Sequence, residues 1–142
     1  MLLETSGDPL TSAEANNLIE NLYVYYSADD TWGPADTVVT TVITLSLSVG
    51  VQTINFTDGD SNVQISAPTG KTYFVVVEMT DDASAQTPNV FQVTFNPDAD
   101  SLVEDRPEDS SVSIQDTQPI TAAITTSSVS SVYLPLVLRD SS

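Results

Sequence analysis

A chain of 142 residues, of which 40% are hydrophobic, is long enough to form one domain around a buried core. It has three Lys and Arg residues and 20 Asp and Glu residues, which gives a formal net charge of −17. Because this charge repels phosphate groups, it argues against nucleic acid or an anionic membrane as partners. The chain has no His and no Cys, which excludes Cys/His zinc sites, thiol nucleophiles and triads with a His base, so we expect no enzymatic activity.

The first predicted element is a short helix that follows an N-terminal tail or strand at residues 1–9. Thr11 and Glu14 have the spacing of a capping box, in which each residue bonds to the backbone of the other. Leu18 and Ile19 follow as an apolar edge. We therefore predict a helix of about two turns that lies across one end of the fold.

Beyond this helix the hydrophobic pattern changes to a period of two, which is typical of β-strands. Strands are predicted at residues 22–26, 38–48, 51–56, 62–66, 71–79 and 90–95. The segment 71–79 is apolar almost throughout and is predicted as the central strand. In the long segment 38–48, we expect Ile43, Leu45 and Leu47 to face the core.

The C-terminal part carries further apolar segments, separated by Ser and Thr rather than by tight turns. Pro135 lies inside the last of them, and because proline lacks the N–H that a β-ladder needs, this strand is predicted at a sheet edge. We divide the chain into a tail or strand at 1–9, a sandwich domain at 10–127 and a C-terminal apolar strand at 128–142.

Short strands separated by turns that carry Gly, Pro, Asn or Asp, with almost no helix, predict an all-β fold of the antiparallel β-sandwich type. The C-terminal strand either completes this sandwich at an edge or is exchanged with another copy. No apolar run approaches the roughly 20 residues that a membrane-spanning helix needs, so we expect no membrane insertion.

Seven short segments, in a fixed order, carry a resemblance to known proteins. They are LTSAEAN at 10–16, LYVY at 22–25, ADT at 35–37, NFTD at 55–58, YFVVVE at 73–78, TPN at 87–89 and EDR at 104–106. They resemble modules of large secreted surface proteins from Chloroflexi-type bacteria, and the tail YLPLVLR at 133–139 resembles the end of exported proteins from such bacteria. The resemblance implies an Ig-like β-sandwich with an extracellular or cell-surface location.

Acidic turns make Ca²⁺ the candidate cofactor. Asp29, Asp30 and Asp36 flank one turn, and Asp58 and Asp60 alternate along another. Ca²⁺ takes about six to eight oxygen ligands, which such turns partly supply. The first turn departs from the richer Asp/Asn/Gly run of the resembling modules and from the EF-hand spacing. The alternative is solvated turns that bind no metal, because Asp favours turns for backbone reasons.

Two aromatic residues, Tyr25 and Trp32, are candidate contacts for a carbohydrate, because an aromatic face can stack on a sugar ring. The alternative is that they cover the core or a sheet face, as aromatic residues do more often. The sequence leaves both interpretations open.

The apolar tail is the candidate subunit contact. Its residues are Val132, Tyr133, Leu134, Leu136, Val137 and Leu138. A strand of this kind can leave its own domain and add to the sheet edge of a neighbour, and head-to-tail repetition of that contact gives an open filament. We therefore hypothesise a self-associating structural subunit or repeat of an extracellular assembly, stabilised by Ca²⁺. The alternative is an adhesion module of a larger secreted protein that binds carbohydrate or protein.

Overall fold

About half of the described chain lies in β-strands. A computed structural model describes residues 1–29, 31–57, 59–64 and 71–95, together with the strands at 120–125 and 131–138, for which it gives the backbone and the side chain of Ile124. In chain order, the elements are β1 (Leu2–Thr5), β2 (Asp8–Pro9), α1 (Ser12–Leu18), β3 (Ile19–Ser27), β4 (Thr37–Val42), β5 (Lys71–Met79), a 3₁₀ turn (Ala83–Ala85), β6 (Val90–Phe95), β7 (Ile120–Thr125) and β8 (Ser131–Leu138).

These strands form two antiparallel sheets. The first sheet has the order β2-β1-β6-β7, and the second sheet has the order β4-β3-β5-β8. The predicted all-β, antiparallel class is therefore confirmed. β5 lies between β3 and β8, as expected of the central strand, and β8 lies at an edge of the second sheet, as Pro135 predicts. Residues 1–9 contribute β1 and β2 to the first sheet.

Both sheets contribute to one hydrophobic core. Leu22 and Val77 of the second sheet and Leu3 and Val93 of the first are completely buried. Burial of a large apolar side chain stabilises a fold by about 1.5–3 kcal/mol, so this shared core is the main source of stability. Helix α1 adds Leu18 to the same cluster.

The predicted helix is confirmed together with its capping box. The Glu14 backbone N–H donates to the Thr11 hydroxyl oxygen at 3.3 Å, and the Thr11 backbone N–H donates to the Glu14 carboxylate at 2.9 Å. Bonds to Thr11 also lower the pKa of the Glu14 carboxyl group below its ordinary value. The helix ends at Leu18, where the chain becomes extended and enters β3 directly.

The prediction of one long strand at 38–48 is wrong beyond Val42, where β4 ends. Leu45 is buried and Leu47 packs against the core as predicted, but Ile43 is 71% exposed. The physical reason is that the backbone beyond β4 bonds to side chains of α1 instead of to another strand, and so leaves the strand period. Asn16 exchanges two hydrogen bonds of 2.8 Å with the backbone of Leu45.

The prediction of a strand at 51–56 is also wrong. Within this range, only Val51 makes β-bridges, one to Leu2 and one to Ser48. The following residue, Gln52, uses its side chain to accept a 2.9 Å bond from the Ser46 N–H. Residues 62–64 are not a strand either, while 65–66 of that predicted strand lie outside the described residues.

Candidate binding face

The second sheet has an outer face, opposite the core, that is also apolar. Side chains alternate along a strand, so Tyr23 and Tyr25 of β3 share this face, while Leu22 and Val24 point to the core. In β5 their cross-strand partners are Val76 and Phe74, and directly paired residues share a face. Val76 is 4% exposed and Phe74 is 7% exposed, so this face carries buried apolar residues of its own.

Trp32, from the connection between β3 and β4, lies against this outer face. Its ring centroid is 4.7 Å from that of Tyr25 in an edge-on arrangement and 5.8 Å from that of Phe74. Tyr23 continues the row, with its centroid 5.9 Å from Tyr25. We call Tyr23, Tyr25 and Trp32 the aromatic strip; each of its members is half-buried. The structure thus brings the two predicted sugar contacts, Tyr25 and Trp32, together.

A carboxylate stands at the Tyr23 end of the aromatic strip. Oε2 of Glu78 accepts a 2.7 Å bond from the Asn21 amide and a 3.1 Å bond from the Tyr23 hydroxyl. Burial, followed by the hydrogen bond and charge of Glu78, raises the pKa of Tyr23. Nothing in the sequence singles out Glu78 and Asn21, because only the register of β3 against β5 makes them cross-strand partners.

Two of the predicted metal ligands, Asp29 and Asp36, line one cavity of about 120 Å³. It lies at the β3–β4 connection, and its lining residues are Tyr26, Ala28, Asp29, Ala35, Asp36 and Thr37. One oxygen of Asp29 accepts bonds from the Ser27 hydroxyl (3.1 Å) and the Thr31 N–H (3.0 Å). One oxygen of Asp36 accepts from the Gly33 N–H (3.0 Å). Each carboxylate therefore also stabilises the turn to which it belongs.

The other predicted ligands do not join this pair in the described structure. Asp60 accepts a 2.8 Å bond from the Asn62 N–H within its own turn. Burial raises the pKa of the nearby Tyr73 to about 12, with smaller contributions from the charges of Tyr26 and Asp60. Asp30 and Asp58 lie outside the described residues. Within the described residues, no three acidic side chains are grouped closely enough to hold a metal ion.

The predicted subunit contacts all fall in β8, which pairs with β5 of the same chain. The ladder runs from Lys71 opposite Leu138 to Glu78 opposite Ser131. Val132, Leu134 and Leu136 stand opposite the core residues Val77, Val75 and Tyr73, and Tyr133 and Val137 stand opposite Val76 and Thr72. The tail therefore occupies one full side of the central strand.

Comparison of the chain with protein-family models, with curated proteins and with solved structures found no match. Where the chain is described, none of its helices has the length and hydropathy needed to cross a membrane.

Proposed function

We propose that this chain is a non-enzymatic structural module of an extracellular assembly, in which copies are joined by exchange of strand β8. The observation that carries the proposal is the pairing of all eight residues of β8 with the central strand β5. The extracellular location and an Ig-like arrangement of the two sheets belong to the same proposal. The resemblance of the sequence segments supports both, and a composition rich in Ser and Thr and poor in Lys supports the location.

Strand β5 needs a neighbour on the side that β8 occupies. Residues Thr72 to Val77 are all buried, and an open edge here leaves a row of N–H and C=O groups without partners. An identical β8 from a second copy supplies the same backbone bonds and the same side chains. The connection from β7 to β8 is residues 126–130, TSSVS, which is rich in small polar residues, as linkers are.

Exchange of this strand in one direction gives a heterologous contact. Each copy donates β8 to one neighbour and accepts β8 from another, so the contact does not close on itself and a filament grows. In this proposal, Ca²⁺ binds at the cavity of Asp29 and Asp36. There it offsets part of the net charge of −17, which repels neighbouring copies.

Cysteine pairing tests the exchange directly, because the chain has no Cys of its own. Val76 and Tyr133 are opposite each other in the β5–β8 ladder, so Val76→Cys and Tyr133→Cys are introduced into separate chains, which are mixed and oxidised. Strand exchange predicts a covalent dimer between the two variants. The control pairs Val76→Cys with Leu138→Cys, which the register keeps apart, and predicts no dimer.

Deletion of residues 128–142 gives a second test, read by electron microscopy and by size-exclusion chromatography. We expect the truncated chain to lose assembly, and an added peptide of residues 128–142 to bind it. Unchanged assembly of the truncated chain contradicts the proposal. So does a full-length protein that stays monomeric at high concentration with Ca²⁺ and forms no mixed disulfide.

A second candidate function is a binding module for carbohydrate or protein. The observation that favours it is the aromatic strip on the outer face, where Trp32 lies edge-on to Tyr25 and Glu78 stands beside Tyr23. A glycan array tests the carbohydrate version. Binding that disappears in Trp32→Ala but survives in Phe56→Ala, an exposed aromatic residue outside the strip, supports a sugar site.

A further inference from the structure

We propose that the outer face of the second sheet binds a cationic side chain, Arg or Lys, of a partner protein, between the aromatic strip and the carboxylate of Glu78. This inference rests on the second candidate function and names the chemistry of its partner. It does not depend on whether β8 comes from the same chain or from a second copy, because the residues that carry it belong to β3, β5 and the β3–β4 connection.

The aromatic strip offers ring surface to a cation. Tyr23, Tyr25 and Trp32 form a continuous row, with centroids 5.9 Å and 4.7 Å apart, and all three rings are half-buried rather than enclosed. The face of such a ring attracts an ammonium or guanidinium group through its quadrupole, and Trp and Tyr do so well. A guanidinium also stacks on aromatic faces, which favours Arg over Lys.

Glu78 supplies a fixed counter-charge at one end of this row. Both of its hydrogen bonds, from Asn21 and from Tyr23, go to Oε2. Oε1 accepts no bond from any side chain that the structure describes, and in this proposal it is the acceptor for the incoming donor. The carboxylate is held in place before a ligand arrives, which lowers the entropic cost of binding.

The charge around the face favours a cationic partner over a neutral sugar or a second copy. Glu20 adds negative charge close to Tyr23. The only described cationic side chain, Lys71, is engaged elsewhere, over the ring of Tyr26 at 5.1 Å and with the carbonyl of Ser61. A neutral sugar gains less from this field than a cation does, and a second copy brings the same net charge of −17.

Trp32 is the only tryptophan of the chain, so its fluorescence reports on this site alone. We would titrate the full chain with a capped Gly-Arg-Gly-Arg-Gly peptide and with the same peptide carrying citrulline, which has the shape of arginine without its charge. We expect a saturable change of emission with the arginine peptide and none with the citrulline peptide.

Substitutions separate a specific site from diffuse attraction. Glu78→Gln keeps the acceptor for Asn21 and Tyr23 but removes the charge, and we expect affinity to fall about tenfold. Tyr23→Phe keeps the ring but removes one of the two bonds that hold the carboxylate, so we expect a smaller loss. Asp8→Asn removes an equal charge from the first sheet, and we expect it to leave affinity unchanged. Thermal melts confirm that each variant is folded.

Three results overturn the inference. If the emission of Trp32 changes equally with the arginine and the citrulline peptides, the charge of the ligand plays no role in binding. Equal weakening by Glu78→Gln and Asp8→Asn means that only the net charge attracts the peptide. A response to a neutral oligosaccharide without a response to the arginine peptide assigns the aromatic strip to sugar binding, which upholds the second candidate function and rejects a cationic partner. None of these results bears on strand exchange.

Discussion

At the scale of single residues, the tight turn at Val49 and Gly50 connects the two halves of a long loop. Both residues have positive φ, 49° and 76°, and Ser48 and Val51 exchange two backbone bonds of 3.0 Å across them. The Gly50 carbonyl then accepts a 2.8 Å bond from the Leu3 N–H. The turn thereby fixes this loop on strand β1, next to the core.

Substitution of Gly50 by Ala is therefore expected to destabilise the fold strongly. A Cβ at this position lies 2.7 Å from the Leu3 carbonyl oxygen and 2.8 Å from the Pro9 Cβ, in a backbone conformation that already disfavours side chains. We expect the free energy of unfolding to fall by about 2–4 kcal/mol, measured by urea denaturation. The control is Gly7→Ala, which also has positive φ but meets nothing within 4 Å, and so isolates the backbone cost of about 1 kcal/mol. Equal losses in both variants contradict the packing argument.

At the scale of elements, helix α1 stabilises the loop that follows β4. Asn16 donates its amide N–H to the Leu45 carbonyl and accepts the Leu45 N–H, and the Ser12 hydroxyl oxygen accepts the Leu47 N–H at 2.8 Å. Two helical side chains thus satisfy backbone groups that a sheet partner otherwise satisfies. In this way Leu45 is buried without belonging to a strand.

We predict that Asn16→Ala lowers the free energy of unfolding by about 1–3 kcal/mol, because it leaves a part-buried N–H and C=O of Leu45 without partners. Chemical denaturation measures the loss. The control is Asn17→Ala, an exposed neighbour on the same helix, for which we expect a much smaller change. If the two variants are equally stable, the helix-to-loop bonds contribute nothing.

The capping box predicts a pH dependence at the start of α1. Because the folded-state pKa of Glu14 lies below its ordinary value of 4.5, its contribution to stability is present above that value and is lost as pH falls through the lower, folded-state pKa. Glu14→Gln keeps an acceptor for the Thr11 N–H but cannot ionise. We expect the difference in melting temperature between wild type and variant to shrink from pH 7 to pH 3. A constant difference contradicts this sign.

At the scale of the whole molecule, 20 acidic residues against three basic ones create strong self-repulsion. If Ca²⁺ binds the folded chain at the cavity of Asp29 and Asp36, it should raise the free energy of unfolding by about 2.7 kcal/mol at a hundredfold excess over Kd. Melting curves with millimolar CaCl₂ and with chelator measure the effect.

Screening of the net charge must be separated from binding at this site. NaCl at the same ionic strength gives the screening contribution alone. In Asp36→Asn, the amide oxygen still accepts the Gly33 N–H while one charge is lost, so the effect specific to Ca²⁺ should weaken. If NaCl and CaCl₂ change the melting temperature equally, the effect of Ca²⁺ is screening alone, and Ca²⁺ has no part in the proposed assembly.

The candidate binding face was only partly predictable. Tyr25 and Trp32 can be identified from the sequence as candidate contacts, because aromatic residues are few in this chain. Their contact with each other, however, depends on the β3–β4 connection folding back over the outer face. Glu78 carries no sequence signal, because it is one acid among many and its neighbours Asn21 and Tyr23 are more than 50 residues away in the chain. Likewise, the sequence does not distinguish Asp29 and Asp36, which share a cavity, from Asp60.

The amino-acid sequence by itself determined the all-β class, the capped helix, the central position of β5 and the edge position of β8. These follow from local causes: the period of the side chains, the spacing of Thr11 and Glu14, and the missing N–H of Pro135. Only the tertiary structure decided that the chain beyond Val42 leaves the sheet to bond with α1, and that an aromatic strip ends at a fixed carboxylate. The reason is that both depend on contacts between segments that are distant in the chain. A hydrophobic period of two predicts a strand, but it does not specify which segment pairs with that strand or packs on its face.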